Sequence, residues 1–153
     1  MDYAITLHEF TKVRTWDAKG EEKIHAAVKR KDEGNAYFKA SQLALAEKKY
    51  KRGIEFVESE YGLDTDEQKA NAKKVKVTLY SNLAQVNILR KEYKDAITNC
   101  NKCLEIDPQN AKALFRRGKV HNILDNWDDA RKDLRKVLEI DPANAEAAGT
   151  ACR

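Results

Sequence analysis

The sequence predicts an all-α protein, and three observations carry that prediction. Two prolines and six glycines in 153 residues, with 35% charged and 42% hydrophobic residues, suit helices better than sheets or a disordered chain. Apolar residues recur at helical spacing, as in Ala130, Leu134, Val137 and Leu138. The chain also repeats itself. "EYKDAITNCNKCLEIDPQNAKA" (92–113) aligns with "NWDDARKDLRKVLEIDPANAEA" (126–147) at an offset of 34, pairing Tyr93 with Trp127, Ala96 with Ala130, and LEIDP with LEIDP. A chain of this length suits one domain.

Residues 1–22 read as one strand and a linker, because Tyr3, Ile5 and Leu7 alternate in "YAITLHEFTKVRTWD" before a charged segment breaks the pattern. The first helix pair covers about 26–60. Its Gly34 lies twelve residues before Ala46, the interval that also separates Ala84 from Ala96 and Gly118 from Ala130. These small residues mark places where a side chain larger than methyl would hold two backbones apart. From Gly34 to Ala84 the distance is 50, so sixteen residues are inserted after the first pair, in "SEYGLDTDEQKANAKKV", where Gly, Asp and Thr cluster. The second pair covers about 76–109 and carries Ala96, Ile97, Cys100, Cys103 and Leu104 at helical spacing on its second helix. The third covers about 110–143. Asp107-Pro108 and Asp141-Pro142 end the second helices, since a proline disfavours helical geometry at the residue before it. Asn110 and Asn144 can then cap the next helix in each case. From 144, "NAEAAGTACR" opens a seventh, capping helix that is cut short at ten residues.

Composition excludes several function classes. No apolar run approaches the roughly 18 residues of a membrane span, and "MDYAITLHEF" lacks the layout of a signal peptide, so a cytosolic chain with no membrane role is expected. Three cysteines are an odd count that argues for reduced thiols. "CNKC" at Cys100 and Cys103 has the spacing of half a zinc site, but no second pair or suitable histidine accompanies it, and both sit at apolar repeat positions. Core packing explains them, and no metal or other cofactor is expected. His8, His25 and His121 are scattered, without a catalytic order. A net charge of +4 falls short of a nucleic-acid binder, and the lysine runs are interrupted by acids and lack interleaved aromatics.

"KALFRRGK" (112–119) stands apart, with four cations in eight residues at the start of a helix. Cations in a first turn face the positive end of the helix dipole, and Lys112 and Arg116 are like charges four apart, so both effects oppose local stability. A solvated basic face is the bland explanation; an anionic ligand is the other.

A 34-residue helix-turn-helix with these small residues, an aromatic eight to nine places later and a closing proline resembles the tetratricopeptide repeat. The resemblance covers about Ala26 to Ala148. Repeat one departs most, with Leu43 for Tyr93 and Trp127, and Glu58 for the prolines. It implies three repeats in a right-handed superhelical array plus the truncated capping helix, with a concave face lined by the first helix of each pair. Such a groove binds other chains and offers no pocket for bond-making chemistry, so no catalytic residue is expected. Lys31, Asn35, Asn82, Lys112 and Arg116 are similar, position by position, to the carboxylate clamp with which tetratricopeptide cochaperones hold the C-terminal EEVD of heat-shock protein 90 and heat-shock protein 70. The chemistry fits independently: lysine and arginine supply charge-assisted bonds to a chain-end carboxylate and an adjacent Asp, and two asparagine amides add neutral donors. Phe38 and Phe115, beside clamp positions, either line pockets for upstream peptide side chains or serve the core alone.

The pattern from Tyr3 to Trp16, "EEKIHAAVKRKDEGNAYFK" and the long insertion resemble the end of the isomerase domain, linker and repeats of large FK506-binding immunophilins. That resemblance implies a peptidyl-prolyl isomerase cochaperone whose catalytic domain is missing from this chain. It also implies a cytoplasmic and nuclear setting, a calmodulin-binding segment lost with the end of the last helix, and termini whose exposed apolar surface and free strand edge favour dimers. The competing expectation is a general repeat scaffold for other acidic or phosphorylated segments.

Overall fold

A computed structural model describes residues 20–143, which form six α-helices and no strand. They are α1 (Gly20–Lys39), α2 (Leu43–Glu58), α3 (Asp66–Leu89), α4 (Tyr93–Ile106), α5 (Ala111–Ile123) and α6 (Trp127–Ile140). Each odd helix pairs with the even helix after it, giving three hairpins. The hairpins stack because each even helix also packs on the odd helix of the next pair, while α1 touches α3 and α3 touches α5. The odd helices therefore line one continuous inner face. The strand expected around Tyr3, Ile5 and Leu7, the capping helix from 144, its Asn144 cap, and the calmodulin and dimer expectations tied to the termini fall outside the described residues.

One core runs through the stack, with Tyr50, Leu79, Leu83, Val86, Leu114, Leu134 and Val137 all buried. Ala46, Ala84 and Ala96 are fully buried and Ala130 nearly so, as the repeat register requires. The close approach at the glycines has a different partner from the expected alanines. A methyl group on Gly34 would lie 2.5 Å from the Tyr50 ring, and one on Gly118 would lie 3.0 Å from Leu134 Cγ. Tyr50, Cys100 and Leu134 occupy the same place, four residues after Ala46, Ala96 and Ala130. The glycine therefore makes room for this next-turn side chain.

All three hairpins turn in the same way. Ser41, Lys91 and Asp125 each take φ of 63°. In each turn the next residue donates its N–H five residues back, Gln42 to the Tyr37 carbonyl, Glu92 to Asn87 and Asn126 to His121. This is the left-handed helix ending normally given to glycine. A side chain there is strained, so Lys91→Gly is expected to stabilise the fold by about 0.5–1 kcal/mol, after allowing for the freer unfolded chain. The urea midpoint should rise with an unchanged slope.

Two boundaries differ from expectation. The first helix begins at Gly20, so the last residues of the stretch read as linker, 20–22, are helical, and the acidic Glu21 and Glu22 suit its positive end. The inserted residues are mostly helix too: α3 starts at Asp66, ten residues before the expected start of repeat two. Thr65 causes this, because its hydroxyl accepts from the Gln68 N–H at 3.1 Å while the Gln68 side chain accepts from the Thr65 N–H, a closed capping box. The remaining loop is tied down. Lys23 donates to the Tyr61 carbonyl, Tyr61 N–H donates to Ser59 Oγ at 3.1 Å, and Leu63 is buried. Downstream, the Asn110 side chain accepts from the Ala113 N–H at 2.9 Å and caps α5 as expected.

Candidate functional site

Three inner helices bring Asn35 (α1), Asn82 (α3) and Arg116 (α5) to one cleft of about 270 Å³, which Phe38, Lys39, Tyr50 and Gln85 also line. Two roomier furrows exist, about 420 Å³ along α6 and about 370 Å³ between the starts of α1 and α3. Volume does not select the site. Of the three, the inner cleft alone joins polar groups from three inner helices.

The polar groups are held in a definite order. Asn35 Oδ1 accepts from the Tyr50 hydroxyl at 2.6 Å and from Asn82 Nδ2 at 3.3 Å. Arg116 Nη1 donates to the Ser81 carbonyl at 2.7 Å and to Ser81 Oγ at 2.5 Å. Burial disfavours the charged form of Arg116 and lowers its pKa. Burial raises the pKa of Tyr50, with Arg116 opposing the rise. Among the described residues no carboxylate lies within ion-pair distance of Arg116. A partly desolvated cation whose hydrogen bonds within the protein go to one carbonyl and one hydroxyl suits an incoming anion.

The four cations of "KALFRRGK" separate by direction. Arg117 points the other way, donating through Nε and Nη2 to both oxygens of the buried Asp133 at 2.8 and 2.7 Å and through Nη1 to Asn101 at 2.8 Å. Its hydrogen bond to Asp133 raises its pKa against the effect of burial. Lys112 and Lys119 are exposed.

Of the expected set, Asn35, Asn82, Arg116 and Phe38 meet at the cleft. Lys31 and Lys112 do not line it; each lies about one helical turn before Asn35 or Arg116 on the same helix. Lys31 is 4.0 Å from Asp32, a neighbouring carboxylate that holds it loosely. Phe115 packs against the core instead of the cleft, since Arg116 next to it takes the inward-facing place. Sequence reasoning missed Tyr50, Ser81, Lys39 and Gln85. Tyr50 could have been found from the register, as a hydroxyl where the other repeats have Cys100 and Leu134.

Cys100 and Cys103 are buried and free, as core packing implied. Burial pushes the Cys100 thiol up to about 12, with Cys103 adding to the rise, and pushes Cys103 up to about 11, with Asp107 adding. The unfolded chain ionises these thiols first, so their contribution is complete below the ordinary thiol pKa and is lost as pH climbs from about 9 through the raised values. The melting temperature should fall between pH 9 and 11, and fall less in the Cys100→Ala/Cys103→Ala variant.

Stacked helix hairpins with small residues at the crossings and an inner polar groove define a tetratricopeptide-repeat domain. Family models described as tetratricopeptide repeat match residues 77–110 and 111–144. The chain is homologous to the repeat region of the peptidyl-prolyl cis-trans isomerase FKBP4: it is 35% identical to the bovine protein over 129 residues, 84% of this chain and 28% of that one. It thus spans less than a third of the length of these relatives and corresponds to their repeats, not to the isomerase domain. Among solved structures, the C-terminal TPR-containing domain of a Plasmodium falciparum FK506-binding protein superposes with a TM-score of 0.82 at 28% identity, covering 90% of this chain and 91% of that one. The first TPR of Spaghetti (RPAP3), bound to the HSP90 peptide SRMEEVD, gives 0.70 at 26% identity over 84% and 89%. The second TPR domain of human RPAP3, in complex with the HSP70 peptide SGPTIEEVD, gives 0.69 at 25% over 85% and 95%.

Proposed function

We propose that this chain is the chaperone-binding module of an FKBP-type immunophilin cochaperone, taking the C-terminal EEVD of heat-shock protein 90, and of heat-shock protein 70, through a two-carboxylate clamp. One observation carries the reading: Asn35, Asn82 and Arg116 converge from three helices while Arg116 has no acidic partner nearby among the described residues. In the clamp, Asn35, Asn82 and Arg116 donate from the cleft lining, and Lys31 and Lys112, about one helical turn before Asn35 and Arg116, complete the charge. Phe38 receives an upstream apolar side chain. The setting is cytoplasmic and nuclear, and isomerase activity belongs to the remainder of a longer protein. The absence of Lys31 and Lys112 from the cleft lining favours a second reading, a looser site for internal acidic or phosphorylated segments.

Titration calorimetry with an EEVD-ended peptide, as free acid and as C-terminal amide, separates the two. The clamp predicts that amidation weakens binding at least tenfold and that affinity falls as salt rises. Equal affinity for acid and amide would leave only the looser site.

A further inference from the structure

Tyr50 lies on α2, which contributes no residue to the clamp set, yet its hydroxyl reaches into the cleft. Its side chain is 1% exposed, and its ring rests where a methyl group on Gly34 would stand. Repeats two and three carry Cys100 and Leu134 at this place, so the hydroxyl is peculiar to the repeat that carries Asn35. We infer that Tyr50 is a positioning residue that fixes the amide of Asn35 with its NH2 toward the ligand, and so makes the site select a carboxylate over an amide at the peptide's chain end. This inference rests on the clamp reading of the same cleft.

Hydrogen-bond capacity decides the orientation. Asn35 Oδ1 already accepts twice, from Tyr50 at 2.6 Å and from Asn82 at 3.3 Å. Rotating the amide by half a turn would set two NH2 groups against each other at Asn82. It would also leave the buried phenol proton without an acceptor, a costly state that no buried side-chain atom among the described residues shows. Asn35 is therefore held as a donor on its ligand side. A chain-end carboxylate only accepts and matches it, whereas a chain-end amide brings N–H groups of its own. Without the hydroxyl, Asn35 and Asn82 can turn over together and accommodate the amide.

The test is Tyr50→Phe, which keeps the ring against Gly34. Affinities for the free-acid and amidated EEVD peptide are measured for both proteins, with circular dichroism as the control for folding. The wild type should prefer the acid at least tenfold, and in Tyr50→Phe that preference should shrink by about fivefold, chiefly through tighter relative binding of the amide. A structural role alone would weaken both peptides equally and leave the ratio unchanged, which would overturn the inference. A wild type with no preference would instead overturn the clamp reading beneath it.

Discussion

Arg117→Ala should lower the unfolding free energy by about 3 kcal/mol. The substitution strands Asp133, which is 4% exposed and takes both of its hydrogen bonds to the protein from this guanidinium. Removing one partner of a buried pair costs about 3–5 kcal/mol because the remaining charge is left desolvated. The low end applies here, since the Arg117 side chain is itself 25% exposed. The pair joins α5 to α6, and the bond to Asn101 on α4 adds the neighbouring repeat, so the loss should appear as a lower urea midpoint for the whole domain. Lys119→Ala, on the same helix but exposed, should stay within about 0.5 kcal/mol. Equal effects for the two variants would mean that Asp133 finds another donor or is solvated.

Arg116→Ala should do the reverse, sparing the fold and removing most peptide affinity. A hydrogen bond to a charged group is worth about 1.5–3 kcal/mol, which corresponds to a loss of roughly 10- to 150-fold in affinity for an EEVD-ended peptide. Ser81 holds the guanidinium at the cleft before any ligand arrives, so little ordering cost offsets the bond. Arg116→Lys should recover only part of the loss, because a single ammonium cannot satisfy the Ser81 carbonyl, the Ser81 hydroxyl and a carboxylate with the same planar fork. Lys31→Ala should act in the same direction by about 1 kcal/mol, as expected for a partly exposed cation. Unchanged calorimetric affinity in Arg116→Ala would exclude the proposed clamp.

These two neighbours show how far the sequence could be read. Period, helix pairing and the Asn110 cap were legible because each depends on residue types at fixed intervals. The convergence of Asn35, Asn82 and Arg116 was legible through the likeness to the clamp of tetratricopeptide cochaperones, which fixes their places relative to Gly34, Ala84 and Gly118. Only the likeness to the family's clamp set Arg116 apart from Arg117; the pairing of Arg117 with Asp133 was not legible, since adjacent helical residues project about 100° apart and only the neighbouring helices decide what each one meets. The hairpin turns were hidden for a different reason: Ser41, Lys91 and Asp125 adopt a backbone that ordinarily announces itself by glycine. The early start of α3 was readable in principle from Thr65 and Gln68, whose spacing is that of a capping box, but the surrounding Gly, Asp and Thr suggested a loop.

The tethered connection after α2 bears on how the chain meets proteases. Tyr61 is 76% exposed, and on exposure alone it invites chymotryptic cleavage. A protease must draw several residues into an extended strand, however, and here the Tyr61 carbonyl is held by Lys23, its N–H by Ser59, and Leu63 is anchored in the interior. Cutting at this point requires prior release of the loop from both long helices, so the longest described link between helices is shielded from digestion despite its aromatic tip.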